Sequence, residues 1–521
     1  MERIFASHAS NLPRMFWVMK KKPEANSTHI AWQPELRPDI FVPTVYGPIE
    51  YRLFRAQLIE IDRLLLAGIE ADFVREVCST LPPGCSARTL DFHARNAALA
   101  LRCNIARKIL RKGYKSFATH AADSGLMRWF LCIGALGLKS TPSKSTLERL
   151  DKILPPERMD AFNRHLLARL RDPSASRAAG LHAPVDFDDA YIDATCLKTN
   201  IHFPVDWVLL RDAARTLMKA TALIRRHGLR NRMPESPQTL LREMNKLTMA
   251  MSATARKTGS KKARKKILRQ MKTLEHKIAR HAQAHRELLA TRREHTDLSE
   301  KQAAQINNRI ERILAQLPAA IEQAHERIIG GRPVPNDKKL LSLYETHTQV
   351  IVRGKAGAEV EFGVGLLLSE TREGLISDWQ LAPSSGPKQL PESIERLKTQ
   401  GTAPKKAWTD RGLGTKANKA HLAKNNIRDG LCERDPERLR ERLANEEGYA
   451  EGLRRRGNTE ARIAIVKNLF VGTPCLAKGL GHMKQTVNWA VLAHNLWVLA
   501  RRELAWREEQ KKRKKKKRKP S

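Results

Sequence analysis

Apolar residues recur at three- and four-residue steps through much of the chain, and the places where that step changes divide it. From residue 51 to about residue 171 the pattern is helical: Leu53, Leu58, Ile61, Leu64 and Leu65 fall on one face, and residues 97–110 are strong helix formers. A further helix is expected over residues 126–136, and Ser143 or Ser145 is placed to cap the next one. Residues 1–45 carry Pro13, Pro23, Pro34, Pro38 and Pro43 among polar residues and read as an irregular arm. Residues 185–195 alternate and read as a strand running into the turn-forming Asn200-Ile201-His202-Phe203-Pro204. The helical step then returns. Ile267, Met271, Leu274 and Ile278 form one seam and Ile306, Ile310, Ile313 and Leu317 a second, as the two arms of a hairpin would, with Ser299 and Gln302 spaced as a capping box for the returning arm. Gly330-Gly331 and Pro333 to Pro335 close the insertion. Strands are expected at 348–353, 359–369 and 374–381, a helix at 391–399, strands at 405–410 and 427–432, and helices at 445–470 and 484–503.

Charge adds a partner to this outline. With 95 Lys+Arg against 55 Asp+Glu the formal net charge is +40, far beyond what solubility requires, so phosphate backbones or an anionic surface are the natural counterparts. No apolar run approaches the roughly 20 residues needed to span a bilayer, and the first residues lack the pattern of a signal peptide, so no membrane role is expected and the chain reads as cytoplasmic. The outgoing arm of the insertion holds Lys261, Lys262, Arg264, Lys265, Lys266, Arg269 and Lys272, and residues 511–519 are wholly basic, a composition that predicts a disordered tail over 506–521. The seven cysteines are scattered without a CxxC or a Cys/His cluster, which points to reduced, mostly buried thiols rather than a zinc site.

Three acids stand out. Asp193 lies in the strand-like Tyr191-Ile192-Asp193-Ala194-Thr195, Asp410 ends the strand of Trp408-Thr409-Asp410-Arg411-Gly412, and Glu460 sits in a helical run. Arg456 four residues before Glu460 and Lys467 seven after it share its helix face. Each acid also has a bland reading. Asp186, Asp188 and Asp189 compete with Asp193, Thr-Asp-Arg-Gly is an ordinary turn sequence, and Glu446, Glu447 and Glu451 compete with Glu460, itself able to pair with Arg456 as an exposed helix residue. Asp206 and Asp212 read as structural and His281 and His285 as polar positions in the hairpin seam; Trp379, Trp408 and Trp489 are candidates for stacking on an unpaired base, core packing being the ordinary fate of any single indole, and Trp408, two residues from Asp410, is the best of them.

Taken in order, Asp193-Ala194-Thr195 with Asn200 to Asp206, Gly354-Lys355, Glu361-Phe362-Gly363 and Thr409-Asp410-Arg411-Gly412 resemble bacterial insertion-sequence transposases of the DDE type, over about residues 185–215 and 345–500. One branch of that family places a tyrosine and an arginine before the catalytic glutamate and a lysine after it; here the arginine and lysine are Arg456 and Lys467, and the tyrosine position is Leu453, with Tyr449 one turn earlier. The resemblance implies an α/β ribonuclease H-like catalytic domain over 185–505, interrupted by the helical hairpin at 207–340 and preceded by an all-helical DNA-binding or dimerisation domain at 46–175. It implies Asp193, Asp410 and Glu460 as a catalytic, metal-holding triad, Asp193 shared between two Mg2+ ions about 3.5–4 Å apart, with Mn2+ as an alternative. It further implies Arg456, Lys467, Arg411, Lys355 and Trp408 as DNA-contacting residues, double-stranded DNA as partner (the inverted-repeat ends of the element and its target), a homodimer on DNA, and a nucleoid-associated location in a bacterial cytoplasm. Two other readings stand beside it: a ribonuclease H-like nuclease that cuts without joining, and a non-catalytic DNA-binding protein on the same scaffold. A histone-like protein would need only the charge and the hairpin.

Overall fold

A computed structural model describes residues 41–133, 140–255, 260–355, 358–382 and 386–517; nearly all of the expected N-terminal arm lies outside them. In chain order the helices are α1 (Ile49–Leu64), α2 (Glu70–Cys78), α3 (Ala87–Ile109), α4 (Tyr114–Asp123), α5 (Gly125–Phe130), α6 (Lys144–Leu150), α7 (Pro156–Arg169) and α8 (Pro173–Ala178) before strand β1 (Asp189–Lys198). Then come α9 (Asp206–Arg226), α10 (Pro237–Ala255), α11 (Lys261–Thr291) and α12 (Glu300–Ala324). Strands β2 (Gln349–Lys355), β3 (Ala358–Glu370) and β4 (Ile376–Leu381) precede α13 (Gln389–Thr399), β5 (Lys406–Thr409), α14 (Lys416–Lys424) and β6 (Arg428–Leu431). The chain finishes with α15 (Pro436–Asn445), α16 (Tyr449–Ile465) and α17 (Leu480–Lys517).

The protein is mostly helical around one mixed six-stranded sheet. β1 is its axis. On one side β3 runs antiparallel to it, Tyr191 opposite Glu370 through Lys198 opposite Gly363; on the other β5 runs parallel, Asp189 opposite Lys406 through Ile192 opposite Thr409. β6 continues parallel beyond β5, while β2 and β4 pair antiparallel with the first and last parts of β3. Alternation along a strand sends successive side chains to opposite faces. Ala190 and Ile192 therefore join Leu390, Ile394 and Leu397 of α13 and Leu422 of α14 under one face. Tyr191 meets Trp408 and Tyr449 of α16 on the other.

The core crosses the expected division at residue 175. One buried cluster takes in α1 to α7, Leu366, Leu368 and Trp379 of the sheet, and the apolar face of α17. Trp489 of α17 is fully buried, its ring centroid 5.7 Å from that of Phe73, and its indole nitrogen donates to the Asp151 carbonyl at 2.9 Å. Arg164 of α7 bridges to the sheet: it donates to Asp378 at 2.6 Å and to the Trp379 carbonyl at 2.7 Å, and its guanidinium lies 4.2 Å from the Trp379 ring centre. A buried carboxylate with two arginine partners, Arg164 and Arg396, thus joins helical region and sheet.

The insertion departs from the expected hairpin. Both predicted seams are there, with Met271, Leu274, Ile278, Ile306, Ile310, Ile313 and Leu317 buried, and the Ser299–Gln302 capping box forms. α9 and α10 complete a four-helix unit with its own core, because Leu210, Ala213, Leu217, Leu240 and Met244 carry the same three- and four-residue step. Asp206 accepts hydrogen bonds from Gln323 and Arg327, each at 2.9 Å, and so pins the start of α9 to the end of α12. His285 is satisfied within the unit, its Nδ1 donating to the His281 carbonyl at 2.7 Å.

The C-terminus differs as well. Where a disordered tail was expected, α17 runs on to Lys517. Arg507 pairs with the buried Glu60, and Arg513 with Glu509 one turn away at 2.6 Å, so acids interleaved among the bases supply the pairs that hold a helix. Basic residues also suit a helix C-terminus, where the macrodipole is negative.

Candidate nucleic-acid site

The parallel register of β1 and β5 has a direct consequence for the acids. Ile192 is opposite Thr409, so one step on, Asp193 comes beside Asp410 at the point where β5 ends. Neighbouring strands are about 4.8 Å apart. Asp410 then leads the turn into α14, its Oδ1 accepting from the Leu413 amide at 3.2 Å. Arg434 braces this turn by donating to the carbonyls of Arg411 (3.0 Å) and Gly412 (2.7 Å), while Arg411 itself is exposed.

α16 crosses the same face of the sheet. From it Arg456 donates to Asp193 Oδ2 at 3.0 Å and stands 3.7 Å from Glu460 Oε1. Lys467, just past the helix, donates to Thr195 Oγ1 at 3.1 Å. Asp193, Thr195, Arg456, Glu460 and Lys467 are thereby brought together, with Asp410 adjoining. Burial raises the Asp193 carboxyl above the usual range; Arg456 pulls it back, while Asp410 and Glu460 push it the same way as burial. Asp193 feels both other acids of the expected triad.

Glu460 is the outermost of the three, with 61% of its side chain exposed against 13% for Asp193. Among the described residues no group of three or more His, Cys, Asp and Glu side chains stands at metal-holding spacing, and Arg456 lies within reach of both Asp193 and Glu460. The donor set itself, carboxylate oxygens without His or Cys, is the kind that hard divalent cations select.

Trp408 is placed differently from the sequence expectation. It is 6% exposed, stacked on Tyr191 (centroids 6.0 Å, planes 12° apart), 6.2 Å from Tyr449, and its Nε1 donates to Asp189 at 2.7 Å. Two glycines make room for it. A methyl group on Gly452 of α16 or on Gly430 of β6 would overlap the Trp408 ring. The indole is the packing joint between helix and sheet and does not face outward to a base. Lys355 ends β2, and its side chain lies outside the described residues.

The sequence reading missed a second set of contacts. Glu370, the last residue of β3 and 2% exposed, accepts from Arg455 Nη1 (3.0 Å), Thr459 Oγ1 (2.8 Å) and Arg462 Nε (3.1 Å), all on α16. Signals for it existed: an acid closing the apolar run 364–369, and Arg455 and Arg462 seven residues apart on one helix face. The seven cysteines are thiols rather than disulfides, with Cys78, Cys103, Cys196 and Cys475 buried. No helix among the described residues is long and apolar enough to cross a membrane. Set against known protein families, curated proteins and solved structures, the chain matches none of them.

Proposed function

We propose that the protein is a DDE-type transposase: it binds the inverted-repeat ends of a mobile element, cleaves them by metal-dependent phosphodiester hydrolysis, and joins the freed 3′-hydroxyls to target DNA. The observation that carries this reading is the register that sets Asp193 on β1 beside Asp410 at the end of β5, with Arg456 of α16 bonded to Asp193 and 3.7 Å from Glu460. The order of elements supports it too. The strand bearing the first acid is followed, after the four-helix insertion, by three strands, a helix, a parallel strand ending at the second acid, a helix, another strand, and then two helices, the second bearing the third acid, an order that resembles a ribonuclease H-like domain with an insertion and one added strand.

Asp193, Asp410 and Glu460 would hold Mg2+, or Mn2+ in its place. When bound, the metal supplies activation of the attacking oxygen and stabilisation of the leaving one. The chain's own residues do the remainder. Asp193 is held in orientation by the Ala194 amide at 2.7 Å and by Arg456. Arg456 and Lys467 offer cationic donors to phosphate oxygens at the same face, where such contacts position DNA without reading its sequence. The net charge of +40 supplies the long-range attraction.

One observation favours a second reading, a non-catalytic DNA-binding protein on this scaffold. Arg456 neutralises Asp193 directly, and Glu460 faces solvent. The test is incubation of the purified protein with labelled duplex carrying the flanking inverted repeats and a plasmid target, with Mg2+ or EDTA, beside Asp193→Asn. Metal-dependent nicks at the repeat ends and joined products, both absent in the variant, are expected. Cutting without joining would point to a nuclease, and salt-sensitive binding without cutting would leave the DNA-binding reading.

A further inference from the structure

α16 carries two adjoining faces with different tasks. Arg456 bonds Asp193 and stands beside the outward Glu460, with Lys467 just past the helix bonding Thr195, and the face one residue back, Arg455, Thr459 and Arg462, closes on Glu370. We infer that Glu370 is a positioning residue for this site: resting on the function proposed above, it fixes the rotation and axial register of α16, and so the place of Glu460 and Arg456 relative to Asp193.

Three features of the cluster carry the inference. Its three donors span seven residues, about 10 Å of helix, so one carboxylate is gripped at both ends of two turns and the helix cannot slide without breaking a hydrogen bond. Glu370 is itself fixed to the site strand, since it is paired with Tyr191, two residues before Asp193. Arg455 strengthens the tie by donating to the Arg372 and Thr371 carbonyls at 3.0 and 3.1 Å and lying 4.7 Å from the Tyr191 ring centre. The last feature is an outer support. Arg462 also meets the fully buried His494 of α17, whose Nε2 lies 3.4 Å from its Nη1. Burial, with Arg462 beside it, brings the His494 imidazole down to about 3, so it is neutral; Nδ1 donates to Asn495 Oδ1 at 3.2 Å and Nε2 accepts from Arg462. Asn495 in turn bonds the backbone of Ile376 in β4 through both its side-chain atoms.

The lever is large. A rotation of about 20° moves a group on the helix surface, about 5 Å from the axis, by about 2 Å. Displacement of a reacting or ligating group by about 1 Å is enough to cost roughly 100-fold in rate. A carboxylate that merely stabilised the fold would change melting without changing what the site does once folded.

The experiment uses the full chain and two variants. Glu370→Gln removes the charge and weakens all three contacts; Thr459→Val removes one neutral hydrogen bond and is the milder probe should the first fail to fold. Glu503→Gln, at a buried acid paired with His182 away from the site, serves as the control for loss of stability alone. The readouts are end cleavage (kcat and KM separately), Mn2+ binding without DNA, and hydrogen exchange of residues 449–465. Expected for Glu370→Gln are a fall of about 100-fold in kcat with KM within twofold, weaker Mn2+ binding by about tenfold, and faster exchange confined to α16; Thr459→Val should show the same pattern at several-fold, and Glu503→Gln none of it. Wild-type protein that cuts, with kcat and Mn2+ affinity retained in the folded variants, overturns the inference and leaves the proposed function standing. Wild-type protein that neither cuts nor binds Mn2+ overturns the proposed function, and unchanged exchange of α16 in the variants then overturns the inference as well.

Discussion

Glu275 allows a prediction whose size follows from its surroundings. It sits on α11 inside the four-helix unit, fully buried, and neither carboxylate oxygen has a hydrogen-bond partner. Burial raises its carboxyl from 4.5 to about 8, with the nearby Ala214 amide pulling the other way. In the folded state the group therefore keeps a proton that the unfolded chain releases above about pH 4.5. The folded state binds more protons than the unfolded one between those values, so the stability contributed by neutral Glu275 is full at acid pH and is lost as pH rises through the window, levelling off above about pH 8. One unit of pH inside the window is worth about 1.4 kcal/mol, so from pH 5 to 8 the loss comes to about 4 kcal/mol. Glu275→Gln keeps the shape and has no proton to lose. Any fixed cost of the buried amide shifts its stability by the same amount at every pH. Because the four-helix unit has a core of its own, the chain will not unfold in one step, and the comparison belongs in local hydrogen exchange of α11 at matched pH, variant against wild type. The variant should gain on the wild type steadily from pH 5 to 8. A difference independent of pH, or a variant that falls behind at pH 8, would refute the argument.

Gly452→Ala should press a methyl into Trp408, costing about 1–3 kcal/mol and lowering end cleavage through displaced α16, while Trp408→Phe should destabilise without altering affinity for frayed DNA ends; unchanged melting of Gly452→Ala would contradict the packing described. Asp378 is fully buried: burial pushes its carboxyl up, but Arg396, Arg164 and Ser393 together hold it below the usual range, so its stabilisation is present above about pH 4 and is lost as pH falls through the lowered value. Asp378→Asn should cost about 3–5 kcal/mol near neutrality, read by calorimetry, because two arginines are left without their anion. If the protein binds DNA as proposed, replacing Lys511, Lys512, Arg513 and Lys514 with glutamine should flatten the dependence of duplex binding on salt, by about 0.9 in the log–log slope for each phosphate no longer neutralised; an unchanged slope would remove the end of α17 from the proposed DNA-binding surface.

What the sequence made legible and what it hid follow from the range of the interactions concerned. The strand bearing Asp193, the strand ending at Asp410, the capping box at Ser299 and the seams of α11 and α12 are written in periods and spacings of a few residues, which a reading of the chain can follow. The same short-range reasoning took α9 and α10 into the insertion without seeing that they complete its core, since their apolar faces have meaning only against α11 and α12. It also failed for the end of α17, where composition argued for disorder and the pairs Arg507–Glu60 and Arg513–Glu509 favour helix; the first of these joins residues 447 positions apart. Trp408 shows why proximity in sequence misleads about direction. It lies two residues from Asp410 and yet is buried on Tyr191 under Gly452, because its contacts are set by how α16 lands on the sheet. Glu370 was hidden for the same reason: 85 to 92 residues separate it from Arg455, Thr459 and Arg462, and no local pattern says that one acid will receive all three. The strand and turn positions of Asp193 and Asp410 could be found from their local context, whereas the contacts that tie α16 to Glu370 had to be read from the fold.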